Sequence, residues 1–445
     1  MIKHLFQTSS NQGCLGILVD EYLIPTDNEK KEQGEISTPF KTRQEMLDII
    51  PKEFWRCKTN KVFEPCCGKG GFVIDLIQRF DDGLSSEISN LVERRKWILE
   101  KWIYFADYNP LNVFITELLI DPKNEYTLNK YIGDTMTSFD TFKTFNIREF
   151  DLVVGNPPYA TNPSKQDTKP LYNIFVEKYI QHTRLLMITP SRWFSGGKGL
   201  DKFRDMMLSR SDISYIHQYD NTREVFPNVN IEGGVSWIFK ESGYKGYCWF
   251  ESDNTLTPLT LSDYDILVDP KYLQLINFVK DLPSIQKIFM SASYYKVRPN
   301  DYRLDTSRKN QTDVQCYVSS LKSKSRMKYI DQKCIRTELS DTWKVIIAEA
   351  NGKKKSFGWM ATIKPDDVYT DSYIGFRVSD EQEGKSLISY LQTRLVNFLL
   401  GSRKISQHIN TSVVKWIPLV PLDRDWTDDK IFEYFNIPEN LKGMY

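Results

Sequence analysis

Asn156, Pro157, Pro158 and Tyr159 follow the apolar stretch FDLVVG without a break, and they are the residues of this chain best suited to chemistry on a poor nucleophile. Two prolines cannot continue a central strand, so the chain must leave a sheet there in a rigid, pre-set loop. The Asn156 amide oxygen and the Pro157 carbonyl would then face outward as acceptors, with the Tyr159 ring as a plate beside them. An exocyclic amino group on a purine is unreactive because its lone pair is delocalised into the ring. Two acceptors on its hydrogens localise that pair as the transition state forms, while the base stacks on the tyrosine. A proline turn that merely ends a strand is the plain alternative.

Two further features, a glycine turn and a strand-end acid, could hold a nucleotide-like partner. Gly68, Gly70 and Gly71 follow the strand-like KVFEP, which contains Glu64, and let the backbone approach a ligand closely. The spacing is neither G-x-G-x-x-G nor the GK[ST] of a P-loop, so phosphates are not demanded. Taken alone, a plain strand–helix turn remains open. Asp107 ends the strand-like WIYFAD, where a carboxylate can accept both hydroxyls of a ribose. Asp134 falls in GDTM at the end of a further strand-like piece, and Thr38 precedes Pro39 as the expected N-cap of a helix through Met46, Leu47 and Ile50.

The elements that must position these residues alternate. After KVFEP come the helical FVIDLIQRF, the strand WIYFAD, the helical NPLNVFITELLI and the strand FDLVVG. LYNIFVEKYI and KFRDMML then read as helices, and RLLMITP, ISYIHQYD and GGVSWIFK as strands. This is an α/β pattern that predicts a parallel sheet covered by helices, with ligands at the carboxyl ends of the strands. Glu64, Asp107, Asp134 and Asn156 all fall at those ends.

A chain of 445 residues predicts two domains, here 1–265 and 266–445, since the regular alternation fades after about residue 265. Charge is balanced overall, 59 Lys+Arg against 58 Asp+Glu, but residues 271–360 hold 18 basic and 8 acidic side chains. With Tyr294, Tyr295, Tyr302, Tyr317, Trp343 and Trp359 among them, that segment reads as a polyanion-binding region. No apolar run is long enough to span a bilayer, and the N-terminus shows no signal-peptide pattern. Seven scattered cysteines without a C-x-x-C pair, and four histidines, predict reduced thiols in a cytoplasmic setting and no metal site.

In the order GEISTP (34–39), FEPCCGKGGF (63–72), YFADYNPLNV (104–113), GDTM (133–136) and NPPY (156–159), the chain resembles the γ-class N6-adenine DNA methyltransferases of restriction–modification systems. LYNIFVEKY (171–179), MITPSRWF (187–194) and VFPNVNIEGGVSWIF (225–239) resemble the later elements of that family. The resemblance covers about 35–240 and implies a Rossmann-like methyltransferase sheet followed by a C-terminal α+β target-recognition domain. It implies S-adenosylmethionine as cofactor, held by Thr38, Glu64, Gly68, Gly70, Asp107 and Asp134. Catalysis would fall to Asn156, Pro157, Pro158 and Tyr159, with methyl transfer to adenine N6 in double-stranded DNA after base flipping. A cognate restriction endonuclease would be a separate chain. Cys66, Cys67 and Lys69 depart from the family pattern inside the glycine loop. Pro65-Cys66 imitates the Pro-Cys nucleophile of cytosine carbon-5 enzymes but stands in the wrong loop. Phe194 and Phe250 are the aromatic candidates to support the extruded base or fill its place. The nearest alternative is an NPPY enzyme acting on RNA or on a protein glutamine side chain.

Overall fold

The computed structural model describes residues 13–23, 36–161, 169–219, 221–227, 231, 233–318, 327–335, 342–350, 356–404 and 408–443. The chain divides into two compact units, Met1–Pro270 and Lys271–Tyr445. The first runs slightly past the expected boundary at 265/266. Ile266 and Leu267 are buried, and the Leu267 N–H donates to the Phe194 carbonyl.

The first unit is built on one nine-stranded sheet. Its strands are β1 (Val62–Glu64), β2 (Ile103–Asp107), β3 (Asn129–Ile132), β4 (Leu152–Gly155), β5 (Arg184–Pro190), β6 (Ile213–Tyr219), β7 (Val235–Glu241), β8 (Cys248–Ser252) and β9 (Thr255–Leu259). Their spatial order is β3-β2-β1-β4-β5-β7-β6-β8-β9. Strands β1 to β5 pair in parallel, and β1, β2 and β4 are buried at every residue, as the continuous apolar runs of a sheet covered on both faces require.

The purely parallel expectation fails at β7, which runs antiparallel to both β5 and β6. The described residues between β6 and β7 carry only the short turn Thr222–Glu224, with no helix to cross back over the sheet. A strand that returns without a crossover must return antiparallel.

The helices that set up the site are α1 (Gly13–Tyr22), α2 (Phe40–Asp48), α3 (Gly71–Leu84), α4 (Pro110–Ile120) and α5 (Tyr172–Tyr179). In α4 the sequence signals act as expected. Asn109 is the N-cap, its side chain accepting from the Leu111 N–H at 3.0 Å, and Pro110 fills the first turn, where its missing donor costs nothing. Packed side chains from α3, β2 and β4 share one core with Trp237 and Phe239 of β7.

The second unit is α+β. A four-stranded sheet contains β10 (Phe289–Met290), β13 (Trp343–Ala348), β14 (Met360–Ile363) and β16 (Tyr373–Val378). A three-stranded sheet contains β11 (Asp313–Tyr317), β12 (Met327–Asp331) and β15 (Val368–Tyr369). Part of the basic, aromatic character of 271–360 is internal. Lys344 is fully buried with its ammonium on the Thr342 and Pro365 carbonyls, and Tyr295 is buried in the core of this unit. Tyr302 and Trp359 remain exposed. The basic positions Lys322, Lys324 and Arg326, and the polar stretch 25–35, lie outside the described residues. Among the described residues no helix is long and apolar enough to cross a membrane.

Candidate active site

The carboxyl ends of β1, β2, β3 and β4 converge on one cavity of about 360 Å³, within the range of about 300–1,000 Å³ usual for small-molecule sites. Thr38, Glu64, Gly68, Asp107, Asp134, Asn156, Pro157, Pro158 and Tyr159 all line it. Nine of the ten residues singled out from sequence are therefore brought together.

Gly70 is the exception. It sits behind the loop as the N-cap of α3, at φ +85°, where an added Cβ would lie 2.8 Å from Thr116 Oγ1. Its task is to shape the turn, which only a residue without Cβ can do there. The loop is pinned by the Cys67 N–H on the Ala106 carbonyl (2.9 Å) and the Gly70 N–H on the Cys67 carbonyl (2.9 Å).

Thr38 is not the helix cap expected of it. Pro39 occupies the cap position without a side-chain bond, and the first amide of α2, at Phe40, donates instead to Asp20 of α1. The Thr38 hydroxyl is thus left for the cavity.

Asp107 is held in place by its own loop. Oδ2 accepts from the Gly68 N–H at 2.9 Å, and Oδ1 from the Asn109 N–H at 2.8 Å and Asn112 Nδ2 at 3.2 Å. Burial raises its carboxyl above the ordinary range, against the pull of those donors. Burial pushes Glu64 much further up, because the Arg43 guanidinium only partly offsets it and Asp107 adds like charge. Burial works to raise Asp134 as well, but donors from Thr137 and the Met136 N–H outweigh it and leave that acid below its usual value.

On the opposite wall, Asn156 Nδ2 donates to the Ile36 carbonyl at 2.9 Å. The Tyr159 ring packs edge-on to Phe226 at 6.4 Å, and burial holds its phenol far above the ordinary range. Cys66 Sγ donates to the Asn156 carbonyl at 3.3 Å, and burial among Glu64 and Asp107 pushes this thiol well up. It is a neutral donor tying the glycine loop to the NPPY loop, not a thiolate nucleophile.

Among the described residues, the buried oxygens Thr38 Oγ1, Glu64 Oε2 and Asn156 Oδ1 on the cavity wall have no partner within hydrogen-bond distance, and the Tyr159 phenol faces the Asn156 side chain. Each buried polar atom left unsatisfied costs about 1–3 kcal/mol. A wall carrying several such acceptors beside Asp20, Glu64, Asp107 and Asp134 suits a ligand rich in N–H and O–H donors and positive charge.

Sequence reasoning missed two contributors. Tyr108, directly after the β2 acid, lines the cavity with a ring that is 75% exposed; its place beside Asp107 was the available signal. Arg43 lines it too, but nothing local marks a lone arginine in a helix as buried. Phe194 and Phe250, by contrast, are ruled out as supports for an extruded base. They are buried and packed on each other in a T-shaped pair at 5.6 Å, because β8 directs Phe250 into the core.

The parallel sheet with a reversed β7, and acids plus an NPPY loop at its strand ends, form the Rossmann-like α/β arrangement that the sequence resemblance implies. Residues 85–226 match the Eco57I restriction-modification methylase family. An uncharacterized adenine-specific methylase of Mycoplasma pneumoniae is 25% identical, the match covering 48% of this chain and 68% of that protein. The modification methylase CviBIII of Paramecium bursaria Chlorella virus NC1A is 26% identical over 34% of this chain, and the match spans only 34% of that protein's length. Among solved structures, the chain is similar to the Type IIL restriction-modification enzyme MmeI in complex with DNA, at 12% identity and a TM-score of 0.44, covering 92% of this chain and 67% of that one. It is also similar to a type I restriction-modification methyltransferase subunit from Streptococcus thermophilus, at 14% identity and a TM-score of 0.37, covering 56% of this chain and 53% of that one.

Proposed function

We propose that this chain is an S-adenosylmethionine-dependent methyltransferase that modifies adenine N6 at specific sites in double-stranded DNA as part of a restriction–modification system. The observation that carries the proposal is Asn156 Oδ1, a buried acceptor with no donor among the described residues, in one cavity with Tyr159 and the strand-end acids.

The cofactor fits the residues present. Thr38, Glu64 and Gly68 would hold its methionine part, Asp107 would hold its ribose hydroxyls, and Asp134 would accept from its adenine amino group. When bound, it supplies an electrophilic methyl group. The protein's part is to present the acceptor nitrogen. An amino group inside a duplex cannot reach the cavity, so the base is flipped out at a cost of a few kcal/mol. Tyr159 would stack on it, and Asn156 Oδ1 with the Pro157 carbonyl would accept hydrogen bonds from its two N–H groups, localising the lone pair on nitrogen. These acceptors act most strongly as positive charge develops on nitrogen, which is stabilisation specific to the transition state. Thr38, Glu64, Gly68, Asp107 and Asp134 are the cofactor residues of this reading, with Gly70 shaping their loop.

The second unit would grip phosphates through the basic excess of 271–360, and its nuclease partner would be a separate chain. The NPPY reading alone also admits RNA or a protein glutamine, but the restriction–modification family match favours DNA.

Asn156→Ala should abolish transfer of tritiated methyl groups to unmethylated amplified genomic DNA while S-adenosylmethionine still binds in calorimetry. Activity retained within a few fold would overturn the role.

A further inference from the structure

An amide accepts from a substrate only when its oxygen, not its nitrogen, faces the cavity. The two orientations of Asn156 are almost equal in shape, so something must choose between them. The strongest contact on the amide comes from 120 residues away: Asn156 Nδ2 donates to the Ile36 carbonyl at 2.9 Å, the Tyr159 phenol faces the same side chain, and among the described residues Oδ1 has no donor within hydrogen-bond distance. A reversed amide would set two acceptors against each other at Ile36.

Residues 36–39 belong to neither a helix nor a strand and cannot hold that carbonyl in place by themselves. Their anchor is Arg43, which is 2% exposed. Its Nε donates to Asp75 Oδ2 of α3 at 2.6 Å, and Nη1 to Asp20 Oδ1 of α1 at 2.8 Å and to the Thr38 carbonyl. Nη2 donates to the Gly16 carbonyl of α1 at 3.2 Å. Asp20 closes the network by accepting the Phe40 N–H just beyond the segment. The fit leaves no slack. A Cβ on Gly71 would lie 2.9 Å from the guanidinium carbon, and one on Gly16 would lie 2.8 Å from Asp75 Oδ1.

We propose that Arg43 is a positioning residue for methyl transfer: by bridging Asp20, Asp75 and the Thr38 carbonyl it fixes the Ile36 carbonyl, which in turn holds the Asn156 amide with its oxygen toward the substrate. The inference rests on the reading of Asn156 as the acceptor for the target amino group. A planar five-donor fork is needed to serve four acceptors on three segments, and a lysine, with one nitrogen, cannot do so.

The test uses the full-length protein, unmethylated amplified genomic DNA and single-turnover transfer of a tritiated methyl group. In Asn156→Asp the network stays intact, but a carboxylate cannot donate to Ile36 while a carboxylic acid can. Its rate should therefore rise up to about tenfold per pH unit between about pH 8 and about pH 6, relative to wild type. The titratable or charged groups lining the cavity with Asn156 are Asp20, Arg43, Glu64, Cys66, Cys67, Lys69, Asp107, Tyr108, Asp134 and Tyr159, and the wild-type profile run in parallel accounts for them. Arg43→Lys should slow transfer at least tenfold, and adding it to Asn156→Asp should flatten the pH profile.

A flat Asn156→Asp profile, whether at wild-type level or at background, overturns the inference, as does a folded Arg43→Lys enzyme within threefold of wild type. If Arg43→Lys does not fold, the Asn156→Asp profile decides alone. An active Asn156→Ala enzyme would instead sink the reading of Asn156 as the acceptor, and a wild-type protein that transfers no methyl group to this DNA would sink the proposed function, so the failures are distinguishable.

Discussion

Replacing Asp107 separates a ligand-binding acid from a loop-tying one, because the structure gives it both tasks. The carboxylate takes the Gly68 and Asn109 N–H groups and Asn112 Nδ2 at 2.8 to 3.2 Å, and its free lone pairs face the cavity. Asp107→Ala strips the acceptor from two backbone amides, at about 1–3 kcal/mol for each one left unsatisfied. Water admitted at the cavity mouth offsets part of this, so a net loss of about 2–4 kcal/mol is expected. At about 2–4 °C per kcal/mol, the melting temperature should fall by about 4–16 °C. Asp107→Asn keeps the shape and one acceptor oxygen but removes the charge. Charge-assisted hydrogen bonds to ribose hydroxyls are worth about 1.5–3 kcal/mol, so its dissociation constant for S-adenosylmethionine should rise about 10- to 150-fold. Its melting temperature should drop far less than that of the alanine variant. Calorimetric titration and thermal melts of the three proteins suffice. An Asp107→Asn protein that melts normally and binds within twofold of wild type would leave Asp107 as a loop tie only, and the ribose would need another partner.

Gly70→Ala should lower the melting temperature by the cost of a left-handed alanine, about 1–2 kcal/mol, plus the contact with Thr116; an unchanged melt would refute the turn argument. Burial raises Glu64, so in the ligand-free protein its contribution to stability is present below the ordinary carboxylate range and lost as pH rises toward the raised value. A cationic ligand needs the carboxylate, so affinity for S-adenosylmethionine should rise with pH over that window and then level. Calorimetry in buffers of different ionisation enthalpy should detect proton release that Glu64→Gln abolishes, and no proton release in wild type would remove Glu64 from the cofactor's charge. Charge reversal at Lys322, Lys324 and Arg326 together should flatten the salt dependence of duplex binding by about 0.9 per lost phosphate contact, leaving cofactor affinity unchanged; a parallel slope would make them a solvated face.

What could be read from the sequence was whatever depends on neighbours along the chain. The strand ends carrying Glu64, Asp107 and Asn156, and the Asn109-Pro110 start of α4, are set by local apolar runs, proline and capping chemistry, and they stand where the pattern put them. Thr38 shows where that logic breaks. A threonine before a proline and an apolar helix is a good local cap, yet Asp20 takes the amide that Thr38 would have served, and Asp20 comes from a helix that the N-terminal pattern did not reveal. The antiparallel β7 was hidden for a similar reason, since strand direction follows from the connection and not from the strand's own residues.

The polarity of the Asn156 amide is the sharpest case of this limit. Its residue type announces an acceptor, but an amide is equally a donor, and the four residue types of NPPY do not by themselves tell which atom faces the substrate. The selection comes through Ile36, Thr38 and Arg43 to carboxylates on α1 and α3, a path of contacts between segments far apart in sequence. Each link is an ordinary hydrogen bond, and only their closure into one buried network converts an ambiguous side chain into a directed one. A single sequence can therefore name the reacting group. The orientation that makes it an acceptor belongs to the tertiary structure.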